Sequence, residues 1–212
     1  MRLARVTLIW VAVALAVGVP IAAAALSPLL AWRDPLYILA GFAGIVALGV
    51  MLFQPVLIGG YLPGLPGRIG RRVHLFTGAT LVAAVVIHVG GLWITSPPDM
   101  IDALTFTSPT PFSPFGVIAM WAIFAVAVLA AFRRRLGLRP RTWLFAHRLL
   151  AIVIVVGSVV HGILIEGTME MVSKLALCAL VLAATVKVMA DLWMWRRRAR
   201  LRDRTDVGAS SA

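Results

Sequence analysis

The sequence predicts an all-α integral membrane protein, a six-transmembrane-helix bundle. Of its 212 residues, 61% are apolar and 13% are charged, and an ordinary soluble domain carries about 25% charged residues. The mean hydropathy is +0.98. The apolar residues fall into six runs, each close to the roughly 20 residues that a helix needs to cross a bilayer. These runs are too long, and alternate too little, for the strands of a membrane barrel.

Turn residues and charges separate the six predicted spans. An Arg-Asp-Pro break follows the first span, a Gly-rich turn follows the second, and the loop Ser96–Pro114 follows the third. A basic turn, Arg133–Arg141, and an acidic one, Glu166–Glu170, complete the connections. The predicted spans are Val6–Leu26, Leu36–Ile58, Val73–Ile94, Phe115–Phe132, Trp143–Ile165 and Met171–Trp195. Residues 1–195 are therefore expected to form one membrane domain, followed by a basic cytoplasmic tail over residues 196–212.

The positive charge is expected to reflect orientation. Of the 20 lysine and arginine residues, 17 lie near alternate ends of the predicted spans, and the opposite loops carry most of the acidic residues. The positive-inside rule then predicts a multi-pass protein of the plasma membrane, most simply a bacterial inner membrane, with both termini in the cytoplasm. The net charge of +12 thus indicates a lipid bilayer as partner, not nucleic acid. The first span also resembles a cleavable signal peptide, an alternative that leaves the later orientation unchanged.

The four histidines form two matched pairs. His74 and His88 lie on the third span, His147 and His161 on the fifth, and both pairs are 14 positions apart. Fourteen positions are nearly four helical turns, so each pair shares one helix face, with its members about 21 Å apart along the axis. Because both spans start from the cytoplasmic side, His74 and His147 are expected at an inner level and His88 and His161 at an outer one. Each histidine alone is compatible with a packed core residue, whereas the matched set indicates function.

Two imidazoles at each of two levels favour haem iron. Zinc requires about four converging ligands, and no cysteine or carboxylate accompanies the histidines within these spans. Haem supplies four positions itself and leaves two axial ones for imidazole nitrogens. The expected structure is two stacked b-type haems between the third and fifth transmembrane helices. Both would be bound non-covalently, because the single cysteine, Cys178, provides no Cys-x-x-Cys motif.

Further cofactor-binding residues are expected around these levels. Gly78 and Gly157 would let a planar ring approach the helix backbone, although small residues also serve helix packing. Arg72 and Arg148 are candidates for contacts with haem propionates, although the orientation signal explains arginines there as well. No residue is assigned a catalytic role.

At these residues the chain resembles the ferric reductase-like transmembrane domain, the haem-carrying membrane part of ferric reductases and NADPH oxidases. The resemblance lies in two segments, Arg71–Gly78 continuing to His88, and Trp143–Leu149 continuing to His161. It implies that His74 and His147 ligate the inner haem iron and that His88 and His161 ligate the outer one. Arg134–Leu138, together with the Trp143 segment, is also similar to the haem-binding membrane subunit of the bacterial periplasmic methionine sulfoxide reductase system.

The expected function is transmembrane electron transfer through two haems to an acceptor on the outer side. The 17 residues after the last span contain no Gly-rich phosphate loop, unlike the flavin and nicotinamide domains of complete ferric reductases. The electrons are therefore expected from a cytoplasmic flavin reductase, a partner's flavin linked to NAD(P)H, or quinol. The chain would be the haem subunit of an oxidoreductase that requires such a partner. Two alternatives remain open, a haem-binding sensor or assembly protein and a haem-free membrane transporter.

Overall fold

The computed structural model describes residues 2–210, and the side chains of residues 3–194. Within this range the chain forms seven α-helices and one short 3-10 helix, Pro28–Leu30, with no β-strand. The α-helices are α1 (Arg2–Ala25), α2 (Pro35–Ile58), α3 (Gly67–Thr95), α4 (Pro97–Leu104), α5 (Ser113–Phe132), α6 (Pro140–Leu164) and α7 (Met171–Ser210).

Six of these helices are long and apolar enough to cross a membrane, namely α1, α2, α3, α5, α6 and α7. The predicted all-α bundle is therefore confirmed, and it contains the six predicted apolar helices of membrane-spanning length. The helices α3 and α6 begin several residues earlier than predicted, at Gly67 and Pro140, since their first turns are basic and lie beyond the apolar run. The predicted tail lies outside the part of the chain with described side chains, and its backbone continues α7 through Ser210.

The structure also contains a helix that was not predicted. The segment Ser96–Pro114 was expected to be a loop because it is rich in proline, yet α4 occupies Pro97–Leu104. Proline at the first helical position is favourable, because its missing N–H has no partner there in any case and its φ is already helical. The same rule explains the starts of α2 at Pro35 and α6 at Pro140.

The bundle is built from two helical hairpins. The helix α2 packs along α3, α5 packs along α6, and these are the two most extensive helix contacts in the described chain. The helix α7 contacts both α2 and α6, and α1 contacts α2 and α7. No comparable backbone contact joins α3 to α6. The two hairpins therefore meet across a space between α3 and α6, and α7 links them from the side.

The interior of the bundle is apolar, and so is much of its outer surface. The largest fully buried side chains are Leu177, Cys178 and Val181, all on α7. Phe76 and Phe145, by contrast, are 73% and 71% exposed. Large apolar side chains exposed along long apolar helices are typical of surfaces that face lipid. The chain is accordingly a multi-pass helical membrane protein.

The two ends of the bundle differ in charge. The basic end contains residues 59–72 and 133–141, and the acidic end contains residues 26–34, 96–112 and 165–170. Because α3 and α6 both start at the basic end, they run parallel.

Candidate functional site

The four histidines meet as two pairs across the space between the hairpins. At the basic end, the ring centroids of His74 and His147 are 6.1 Å apart. At the acidic end, those of His88 and His161 are 6.4 Å apart. The planes of the two rings are inclined by 70° in the first pair and by 82° in the second. The predicted juxtaposition of equivalent histidines on two parallel helices is thus present at both levels.

Backbone carbonyls orient both rings at the acidic end. The Nδ1 of His88 lies 2.7 Å from the carbonyl oxygen of Ala40, and the Nδ1 of His161 lies 3.0 Å from that of Phe112. Since a carbonyl oxygen can only accept, each Nδ1 carries the proton and donates it. The lone pair of each neutral ring is therefore on Nε2, the arrangement that prepares a histidine to bind a metal.

Two glycines provide the space for these rings. A Cβ on Gly44 would lie 3.0 Å from the Nδ1 of His88, and one on Gly116 would lie 2.6 Å from the Nδ1 of His161. Gly44 follows Ala40 by four residues, and Gly116 follows Phe112 by four. Each hairpin thus uses the same arrangement, a carbonyl that holds the histidine and, one turn later, a glycine that makes room for it.

The pair at the basic end has different surroundings. Neither His74 nor His147 forms a hydrogen bond through its buried Nδ1 within the described structure. The ring of Trp143 lies 5.2 Å from that of His147 with the planes inclined by 30°, and the guanidinium of Arg133 lies 5.2 Å from the centre of the Trp143 ring. The structure thus places this tryptophan against the histidine.

A cavity of about 450 Å³ adjoins the pair at the acidic end. This volume is in the range of small-molecule sites, which span about 300–1,000 Å³. The lining comes from six helices and is mostly apolar; it includes both histidines, Met51, Val85, Met120 and Lys174. The acidic-end pair therefore adjoins a space large enough for an organic ligand.

The spacing of the rings suits a metal ion bound between them. A metal–imidazole bond is about 2.0–2.1 Å long and a ring centre lies about 1 Å behind its nitrogen, so two rings on opposite sides of one ion have centroids about 6 Å apart. No group of three or more His, Cys, Asp or Glu side chains in the described structure forms a metal site. A metal ion between the two histidines of either pair would therefore have two protein ligands, and its remaining ligands would have to come from a bound cofactor or solvent.

The other predicted site residues occupy varied positions. Arg72 is exposed at the basic end, whereas Arg148 is partly buried next to His147. A Cβ on Gly78 would meet no atom within 4 Å. Gly157 faces α5, where a Cβ would lie 2.9 Å from the carbonyl oxygen of Phe115. The lack of a side chain at Gly157 therefore permits the close packing of α6 on α5.

The apolar residues between the two levels are buried. Leu81 and Val85 on α3, and Ile154 and Val155 on α6, are all exposed by less than 10%. They separate the two histidine pairs with an apolar layer and belong to the main core of the bundle.

These features define a class, a helical membrane protein with two histidine pairs between two hairpins. Comparison of the chain with protein-family models, with curated proteins and with solved structures finds no match. The fold and the geometry of the histidine pairs therefore carry the functional argument.

Proposed function

We propose that this protein transfers electrons across a membrane by means of two b-type haems, one bound by each histidine pair. It would act as the haem subunit of an oxidoreductase resembling the membrane domain of ferric reductases. His74 and His147 would hold the haem at the basic end, and His88 and His161 the haem at the acidic end. The observation that carries this proposal is the equal pairing of all four histidines across one interhelical space, at 6.1 and 6.4 Å.

The donor set at each level favours haem over a bare metal ion. Two neutral imidazoles satisfy only half of the tetrahedral shell that zinc prefers. Haem iron needs only two axial ligands, because the porphyrin supplies the other four. The limited backbone contact between α3 and α6 is also compatible with a planar group between them. When bound, the haems would supply reversible one-electron chemistry.

The chain itself supplies ligand orientation and an apolar medium. The carbonyls of Ala40 and Phe112 fix the tautomer and direction of the two rings at the acidic end. Such contacts behind a ligating histidine raise its basicity and tune the bound metal. The apolar layer around Leu81 and Ile154 excludes water between the levels, and burial of this kind is one of the factors that set a haem potential.

The charges support a direction for the transfer. By the positive-inside rule, the basic end faces the cytoplasm of, most simply, a bacterial cell, and the protein lies in the plasma membrane with both termini inside. A donor at that end would be a cytoplasmic flavin reductase linked to NAD(P)H, or quinol from the bilayer. The acceptor would lie outside, at the acidic end.

The purified protein tests the proposal directly. Reduced-minus-oxidised spectra should show the bands of a b-type cytochrome, and a pyridine haemochrome assay should give about two haems per chain. Each single His→Ala variant should lose one haem, whereas Ile87→Ala, next to His88 but with a half-exposed side chain, should keep both. A haem-free wild-type protein from haem-replete cells would refute the proposal. A value near one would show that one histidine level is not a haem site.

A further inference from the structure

A buried lysine lies beside the histidine pair at the acidic end. Lys174, in the first turn of α7, is only 5% exposed, and it lines the cavity that His88 and His161 also line. Its Nζ donates a hydrogen bond of 2.7 Å to the carbonyl oxygen of Ile165, four residues beyond His161 on the chain. The positive charge is therefore held close to the end of α6 that carries the histidine.

This ammonium group has no anionic partner within the described structure. The salt bridge found there joins Lys187 to Asp191, further along α7. Glu170, one turn before Lys174, accepts hydrogen bonds from the amides of Val172 and Ser173. Burying a charge is costly unless it is paired, and one carbonyl uses only one of the three N–H donors of a lysine.

The acidic residues of the cavity do not supply that partner. Asp99 and Asp102 line the same cavity, but both are exposed, and their carboxylates accept hydrogen bonds from Ser96 and Thr107. Acidic groups therefore occupy the exposed part of the cavity lining, and a lone cation occupies the buried part. Such an arrangement suits a ligand that is apolar in its body and carries a carboxylate at one edge.

We infer that Lys174 binds a carboxylate of the ligand in this cavity, namely a propionate of the porphyrin held by His88 and His161. This inference rests on the proposed function and adds to it the residue that recognises the acidic edge of the ring. Charge-assisted hydrogen bonds are about twice as strong as neutral ones. Lys174 would therefore contribute affinity at this level and fix which edge of the ring faces α7.

A purely structural role for Lys174 makes a different prediction. Lysine side chains near a helix C-terminus hydrogen-bond the last carbonyls and interact favourably with the helix dipole, as Lys174 does at Ile165. That role is independent of any carboxylate on the ligand. The two roles can thus be separated by changing the ligand instead of the protein.

The test compares haem with its dimethyl ester, in which both propionates are neutral. Full-length protein is made in a haem-deficient host with the His147→Ala substitution, so that only the acidic-end pair can hold haem, and it is titrated with each ligand. With Lys174 present, haem should bind about 10–100-fold more tightly than the ester. Lys174→Met should reduce that preference to near one, and Lys174→Arg should retain most of it.

The ratio of two affinities on one protein sample is insensitive to the fraction of protein that is folded. If the Lys174→Met variant fails to insert, the Lys174→Gln variant takes its place in the comparison. Glutamine keeps a hydrogen-bond donor for the carbonyl of Ile165 but carries no charge. An unchanged preference in these neutral variants would overturn the inference, as would equal weakening of both ligands, which is the result expected for helix capping alone. The parent protein could also bind haem and the ester equally well, with a haem affinity that changes when acetate is added. That result would show that Lys174 binds a free anion, and it would overturn the inference as well. Absence of haem binding in the unmodified protein would refute the proposed function itself.

Discussion

The Nδ1 of His88 donates a hydrogen bond to the carbonyl oxygen of Ala40 at 2.7 Å, so a residue of α2 sets the direction of a ring that α3 carries. The carbonyl of Phe112, at the N-terminal end of α5, does the same for His161 on α6. At the acidic end, each ring is thus held by a hydrogen bond from within its own hairpin.

Enlarging the two cavity glycines should disturb that orientation. Gly116→Ala should reduce occupancy of the acidic-end site more than Gly44→Ala, because the added Cβ would lie 2.6 Å from Nδ1 in the first case and 3.0 Å in the second. Overpacking of this kind typically costs about 1–3 kcal/mol. Haem content per chain measures the effect, and Gly90→Ala is the matched control, because its Cβ would meet no atom within 4 Å. Equal haem content in all three variants would contradict the prediction.

Removal of one histidine from either level should abolish transfer across the membrane. His147→Ala and His161→Ala should each retain about one haem per chain, because the remaining pair keeps both of its ligands. Neither variant should reduce an outside acceptor when the donor is supplied at the cytoplasmic side of vesicles. Transfer by His161→Ala at the wild-type rate would show that the acidic-end level is not needed.

The orientation of the bundle can be measured with introduced cysteines. Pro109→Cys at the acidic end and Leu136→Cys at the basic end both replace exposed residues, in a background in which the buried Cys178 is changed to serine. On intact cells an impermeant thiol reagent should label position 109 and not position 136, since the arginine-rich end is expected inside. The reverse pattern would invert the proposed direction of transfer.

The titration of Tyr61 should report a contact between the α2–α3 turn and α7. The hydroxyl of Tyr61 donates a hydrogen bond to Asp191, and this bond, above all, raises the pKa of Tyr61 from its usual value of 10.0. The contact is favourable while the hydroxyl is protonated. Its contribution to the stability of the folded protein is therefore present below pH 10 and is lost as the pH rises through the raised pKa of Tyr61. Tyr37 and Tyr61 are the two tyrosines of the chain, so ultraviolet titration of a Tyr37→Phe variant follows Tyr61 alone.

Asp191→Asn should then lower the midpoint of that titration, because the carboxylate that accepts the hydrogen bond is gone. Lys187 opposes the effect of Asp191 on the pKa of Tyr61, so Lys187→Met should raise the midpoint instead. Identical midpoints in the parent and both variants would show that Tyr61 does not bond to Asp191 in solution.

The sequence was sufficient for the number of spans and for the pairing of the histidines. Both follow from periodicity, because 14 positions on each of two parallel helices bring equivalent residues to equal depths. The residues behind the rings could not be predicted in this way. Ala40 and Phe112 act through backbone carbonyls, which every residue possesses, so their role depends on how α2 and α5 pack.

The glycines show the same limit. Gly78 and Gly157 were predicted from their proximity in sequence to histidines on the same helix. The glycines that make room for the two rings at the acidic end, Gly44 and Gly116, lie on the neighbouring helices. A repeated interval of four residues, from Ala40 to Gly44 and from Phe112 to Gly116, becomes informative only when the facing histidines are known.

The hairpin organisation also has a consequence for biosynthesis. Each hairpin emerges from the ribosome as a continuous stretch of chain and contains one complete histidine support, so half of each histidine pair can be in place before the other half is made. The helix α7, which contacts both hairpins, is synthesised after both of them. If the pairs hold haem as proposed, its loading would be a late event in maturation, and chains truncated before Met171 should accumulate in the membrane as two inserted but poorly joined halves.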